Sequence, residues 1–146
     1  MNSPIPVEKL SHRQREITPT AFALYLVNQV RSRCQCYLVA ALWVRWDSPY
    51  KALDGVECYD LIRNAYTYCG PYPVIAHPPC GPHGRYKAVS RQDRHAGYHA
   101  LFLADLYGGV VEQPASSQLF RGGEVIRQHD FGHPSEKLTR LYWGEG

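Results

Sequence analysis

No GxGxxG stretch occurs anywhere in this 146-residue chain, which excludes the usual glycine-rich cradle for a dinucleotide. No apolar run approaches the length needed to span a bilayer. The opening MNSPIPVEKLSHRQRE lacks the apolar core of a signal peptide, so the expectation is a cytoplasmic protein with no membrane partner. A large excess of one charge is lacking too. A net charge of +3 and a pI near 8.6 suit a phosphate-bearing partner but are far too small for an electrostatic DNA coat. The five cysteines (Cys34, Cys36, Cys58, Cys69, Cys80) are odd in number and irregularly spaced, which excludes a disulfide framework. Cys34 and Cys36 are too close for a zinc knuckle, and no second pair follows them. Internal repeats and low-complexity tracts are absent.

What is present is enough for one globular domain: 45% hydrophobic and 20% charged residues, in a length that buries a real core. Eleven tyrosines and three tryptophans either stack on bases or fill core and rim. That aromatic load is compatible with a homodimer, although no stretch specifies an interface.

Residues 1–17 read as a polar, proline-bearing arm. Thr18-Pro19 then provides an N-cap and a first-turn proline for an amphipathic helix over 19–33, carrying Phe22, Tyr25, Leu26, Gln29 and Val30 and ending in Arg31 and Arg33. This arm and helix (1–36) look added to an α/β domain spanning 37–146. The unbroken apolar run 37–45 is the best central strand, and 56–59 is a second. Asp60 caps a helix over roughly 61–68. Strand 74–76 follows, then a helix from Ser90 to about Tyr107 ended by Gly108-Gly109. Strand 110–114, a turn of helix at 115–120, strand 126–131 and a last strand-like run to Trp143 complete the chain. Alternating strands and helices imply a mainly parallel, Rossmann-like sheet with helices on both faces.

The loop His77-Pro78-Pro79-Cys80 carries the strongest chemical signal. Two prolines stiffen the chain leaving a buried strand and present Cys80 at its carboxyl end, where α/β sheets bind ligands. A rigid turn with an incidental cysteine explains the same spacing. His77, Cys80 and His83, with His95 and His99 one helical turn apart, raise a zinc set, against a solvent-facing pair of helix histidines. Asp47, Ser48 and Lys51 form either a phosphate- or ribose-binding cluster or a type I turn with Pro49 at its second position. The basic run Arg85, Lys87, Arg91 and Arg94 contacts phosphates or is a solvated helix start. His133, Glu136 and Lys137 either close over the same site or are surface charges.

Taken together, Arg45-x-Asp47-Ser48-x-Tyr50-Lys51, His77 to Cys80, Glu112-Gln113-Pro114 and Gly132 to Tyr142 resemble, in order, the RxDSxYK, HPPC, E(H/N)P and GHxxEKxTxLY runs of short phage and prophage proteins of undefined activity. The likeness covers about residues 42–143. The same core is similar to a piece of the cytosine-5 DNA methyltransferases, where a PPC loop precedes a strand ending in ENV or ENP. That resemblance implies a nucleic-acid- or nucleotide-modifying protein of a bacterial host cell, with Cys80 as nucleophile and Glu112 as the acid that holds the base. A thiolate attacks a ring carbon only when an acid on the ring nitrogen makes the ring electron-poor. Asp47, Ser48, Lys51, His77, Arg85, His133 and Lys137 are then the substrate contacts. S-adenosylmethionine is the cofactor the resemblance implies, yet its glycine loop, a target-recognition domain and a QRR-like motif are missing, and Gln113 replaces the usual Asn or His. A non-catalytic phage accessory protein that binds a nucleotide or a host protein is the alternative.

Overall fold

The computed structural model describes residues 19–84, 90–132 and 136–146. Six strands form one sheet: β1 (Val39–Leu42), β2 (Val56–Tyr59), β3 (Val74–Ala76), β4 (Gly109–Pro114), β5 (Glu124–Arg127) and β6 (Leu138–Gly144). Their order across the sheet is β2-β1-β3-β4-β6-β5. The first four are parallel, while β6 runs antiparallel to both β4 and β5, so the chain is α/β with a mostly parallel mixed sheet.

Short strands, buried on both faces, divide the core in two. Val39 and Ala41 of β1, Ile75 and Val110 face helix α1 (Pro19–Cys34), whose Phe22, Ala23, Leu26, Val27 and Val30 fill that side. Ala40, Leu42, Val74, Ala76 and Val111 face α2 (His95–Tyr107) through Ala100, Leu103 and Ala104. This is the period-2 alternation of a sheet covered on both faces. Each large side chain on α1 removed from water contributes about 2 kcal/mol, so the helix that reads as an addition is one of the two covering layers. Gly109 begins β4 at φ +109°, where a Cβ would stand 1.9 Å from the Val74 carbonyl oxygen; only glycine permits that approach.

Several expected elements are shorter. β1 stops at Leu42 because Trp43 takes a left-handed φ of +56°. Instead of a helix over 61–68 there is one 3-10 turn, Ala65–Thr67. Leu61 and Ile62 are almost fully exposed there while Ala65 and Tyr68 are buried, which no apolar helical stripe allows. Ser90 Oγ and Asp93 Oδ1 accept from the N–H groups of Gln92 and His95 in turns that precede α2, so the helix starts at His95 rather than Ser90. Residues 115–120 form a turn, not a helix, and the strand expected at 126–131 is β5 followed by a 3-10 turn, Gln128–Phe131. Thr18 and the arm before it lie outside the described residues.

Candidate functional site

Strands β1 and β3 are neighbours, yet the chain goes from β1 to β2 on one side before crossing back to β3 on the other. The carboxyl ends of β1 and β3 are therefore a topological switch point, the place where open α/β sheets bind ligands. A cavity of about 330 Å³ opens there, bounded by Trp43, Arg45, Asp47, Ser48, Tyr50 and His77 with Val44 and Pro49.

His77 is the fixed point of this edge. Its backbone N–H donates to the Leu42 carbonyl at 3.0 Å, extending the β1–β3 ladder by one residue. The parallel pair Ala76 and Val111 places it beside Glu112. Its Nδ1 lies 3.0 Å from Glu112 Oε2 and its Nε2 lies 2.8 Å from the Tyr50 hydroxyl. Glu112 is largely buried, its side chain 12% exposed. Burial pushes its pKa up, but the hydrogen bond and charge of His77, the charge of Lys137 and the Thr139 hydroxyl outweigh that and hold the carboxyl below its ordinary range. Thr139 Oγ1 donates to Glu112 Oε1 at 3.3 Å and itself accepts from Gln128 Nε2 at 2.7 Å. Burial, and then the charge of Glu112, push the Tyr50 phenol far above its usual range. An ionised carboxylate must accept, so His77 Nδ1–H donates to it, and the Tyr50 hydroxyl bonds the ring's other nitrogen, Nε2. The result is a hydrogen-bonded chain of Tyr50, His77 and Glu112, with two of its three members in the cavity wall.

A second tie holds the loop. Gln113 is 1% exposed; its Nε2 donates to the Pro78 carbonyl at 2.8 Å, and its Oε1 accepts from Ser117 Oγ at 2.8 Å. Residues 112 and 113 of β4 thus grip residues 77 and 78 of the proline loop. Beyond that grip Cys80 is exposed, and its carbonyl accepts from the His83 N–H at 3.0 Å.

The other expected contacts divide. Ser48 Oγ accepts from the Tyr50 N–H at 3.2 Å and caps the 3-10 turn Pro49–Ala52, so the turn reading of that stretch holds, although Ser48 and Asp47 also border the cavity. Asp47 pairs with Arg45 at 3.1 Å. Lys51 does not border the cavity: it donates to Asp60 Oδ2 at 2.6 Å and to the Trp46 carbonyl at 2.7 Å. That Lys51 hydrogen bond, with the backbone N–H groups of Arg63 and Ile62, lowers the Asp60 pKa to about 2. Lys137 is exposed and acts on Glu112 through its charge. Arg85 and His133, like Lys87, lie outside the described residues.

The zinc set does not assemble. Both His77 nitrogens are engaged, His83 is buried against the Arg94 backbone and Tyr98, and no three metal-binding side chains converge among the described residues. Nor are His95 and His99 a solvent-facing pair. His95 is exposed, but the His99 ring sits among Trp43, Tyr66 and Phe102.

Trp43, Tyr50, Gln113 and Thr139 are the residues that sequence reasoning did not place in the site. Tyr50 lay in view inside the RxDSxYK run. Nothing in the sequence marks Trp43, whose left-handed backbone costs on the order of 1 kcal/mol. That turn breaks the strand alternation, so Leu42 and Trp43 both meet the α2 side while Val44 meets the α1 side.

The glycine-rich turn that cradles S-adenosylmethionine is not built at this edge. The segment leaving β1 has no glycine, and four of its backbone donors are engaged within the protein. Val44 donates to the Tyr59 carbonyl, Ser48 to Arg45, Lys51 to Ser48, and Tyr50 to the Ser48 hydroxyl. These four donors are turned to the protein itself and not to an anion at the cavity. Comparison with protein-family models, curated proteins and solved structures finds no match to the chain.

Proposed function

We propose that this chain is a Rossmann-like domain of phage origin, built on the cytosine-5 methyltransferase core, that binds a nucleobase in the cavity between Trp43 and His77. The observation that carries the reading is the double grip of Glu112 on His77 and Gln113 on Pro78. It locks the HPPC loop to the EQP strand end at the switch point. Trp43 and Tyr50 give the cavity aromatic walls, and the Tyr50 hydroxyl, bonded to His77, is the polar group offered to the base. Glu112 acts through His77 as a positioning residue. Its oxygens already accept from His77 and Thr139, and its ionised state suits an orienting anion better than a base-holding acid. Cys80, exposed beyond the grip, is the candidate nucleophile of this reading.

One observation favours the non-catalytic reading: Cys80 is not among the residues bounding the cavity. Calorimetric titration with nucleoside monophosphates decides the central point. Binding by the wild-type chain, weakened about tenfold or more in His77→Ala, is expected. No nucleotide binding at millimolar ligand overturns the proposal, and S-adenosylmethionine is expected not to bind. Cys80→Ser keeps binding in either version and loses base modification only if the thiol is the nucleophile.

A further inference from the structure

The outward side of α2 is apolar where a solvent-facing helix is ordinarily polar. Ala100, Leu103 and Ala104 turn to the sheet and Ala96 and Gly97 are also buried, yet Tyr98 and Phe102, four residues apart on the other side, are 60% and 58% exposed. A contiguous patch of this kind marks a binding surface. Its rings are connected: Phe102 to His99 at 6.1 Å between centroids, His99 to Tyr66 at 5.0 Å, and Tyr66 to Trp43 at 5.7 Å. Trp43 also bounds the cavity at the switch point. The aromatic strip is therefore continuous with the proposed base pocket.

The charge at the start of α2 selects the occupant. Arg91, Arg94 and His95 are exposed there, and the first turn holds no acidic residue. Asp93, just ahead of the helix, accepts from the Tyr66 hydroxyl. Aromatic rings beside a basic helix start match a chain of bases on a phosphate backbone, since stacking platforms and cationic groups together hold single strands.

We infer that this strip carries a single-stranded nucleic acid, whose neighbouring bases stack on Phe102, Tyr98 and Tyr66 while one base enters the pocket past Trp43. The inference rests on the pocket reading and makes its substrate a strand rather than a free nucleotide. DNA and RNA share the chemistry involved, and both are tested.

The experiment measures anisotropy of labelled single-stranded DNA and RNA of about twelve nucleotides, with a duplex of the same sequence and a mononucleotide as competitors. Phe102→Ala, Tyr98→Ala and the double variant are compared with the wild-type chain, with folding checked by circular dichroism. Expected is tighter binding of a strand than of the mononucleotide, weakened at least about fivefold by each substitution, with mononucleotide affinity unchanged. Unchanged strand binding in the double variant overturns the inference. So does equal competition by duplex, or a wild-type dimer that Phe102→Ala dissociates, which would make the strip a self-association surface. Ring-dependent strand binding without any mononucleotide binding would sink the pocket reading and leave this surface standing.

Discussion

His77 presents Nδ1 to Glu112 Oε2 at 3.0 Å from the end of the neighbouring parallel strand. The contact follows from register: Ala76 pairs with Val111, so the residue after each falls side by side at the carboxyl edge. Two motifs 35 residues apart in sequence thereby become one device.

The state of Glu112 sets an acid limit on stability. Its folded pKa is depressed, so in acid the unfolded chain binds more protons than the folded one, and stability rises with pH through that window. The contribution is complete above the ordinary carboxyl range and fades as pH falls through the depressed folded value. Asp60 and Asp93 are depressed as well, so the wild-type acid slope is a sum. Comparing urea unfolding of wild type and Glu112→Gln from pH 6 to about pH 3 isolates the one group. The variant is expected to lose less stability on acidification; parallel curves would show that Glu112 is not held by His77.

Gln113 is the departure from the E(H/N)P pattern, and the structure gives it work. Gln113→Ala removes the donor to Pro78 and the acceptor for Ser117 and leaves a buried void. A loss of about 2–3 kcal/mol in urea unfolding is expected. A loss under about 0.5 kcal/mol, the range of ordinary surface changes, would mean the loop is held by its prolines alone.

Cys80 and Cys69 are both exposed, which supplies an internal control for reactivity. If Cys80 is a nucleophile, iodoacetamide at neutral pH modifies it several-fold faster than Cys69. Burial raises the thiol pKa of Cys34 and Cys58, so these react more slowly than either. Equal rates at Cys80 and Cys69 would reduce Cys80 to an accessible side chain and favour the binding protein.

The strands were legible where apolar runs were short and bounded. Residues 56–59 and 74–76 lie between turn residues, and the sheet has strands at those positions. The run 37–45 misled because its apolar character continues past the last paired residue; a left-handed Trp43 has no sequence signature. The stretch at 61–68 misled because a capping Asp60 is also an Asx turn, its Oδ1 accepting from the Ile62 and Arg63 N–H groups. The candidate site was half legible. His77 and Glu112 stood out as motif residues, but that they bond each other depends on strand register. That Lys51 spends its charge on Asp60 depends on the packing of β2 beside β1.

The most direct test is to add a nucleoside monophosphate to isotopically labelled protein and follow the Trp43 indole, Tyr50 and His77 resonances. Base binding at the switch point shifts these three together and leaves Leu38 and Tyr72, at the second cavity of about 320 Å³ on the opposite edge, where they are. Shifts at that second cavity alone, or no shifts at saturating nucleotide, would contradict a base-binding site between Trp43 and His77.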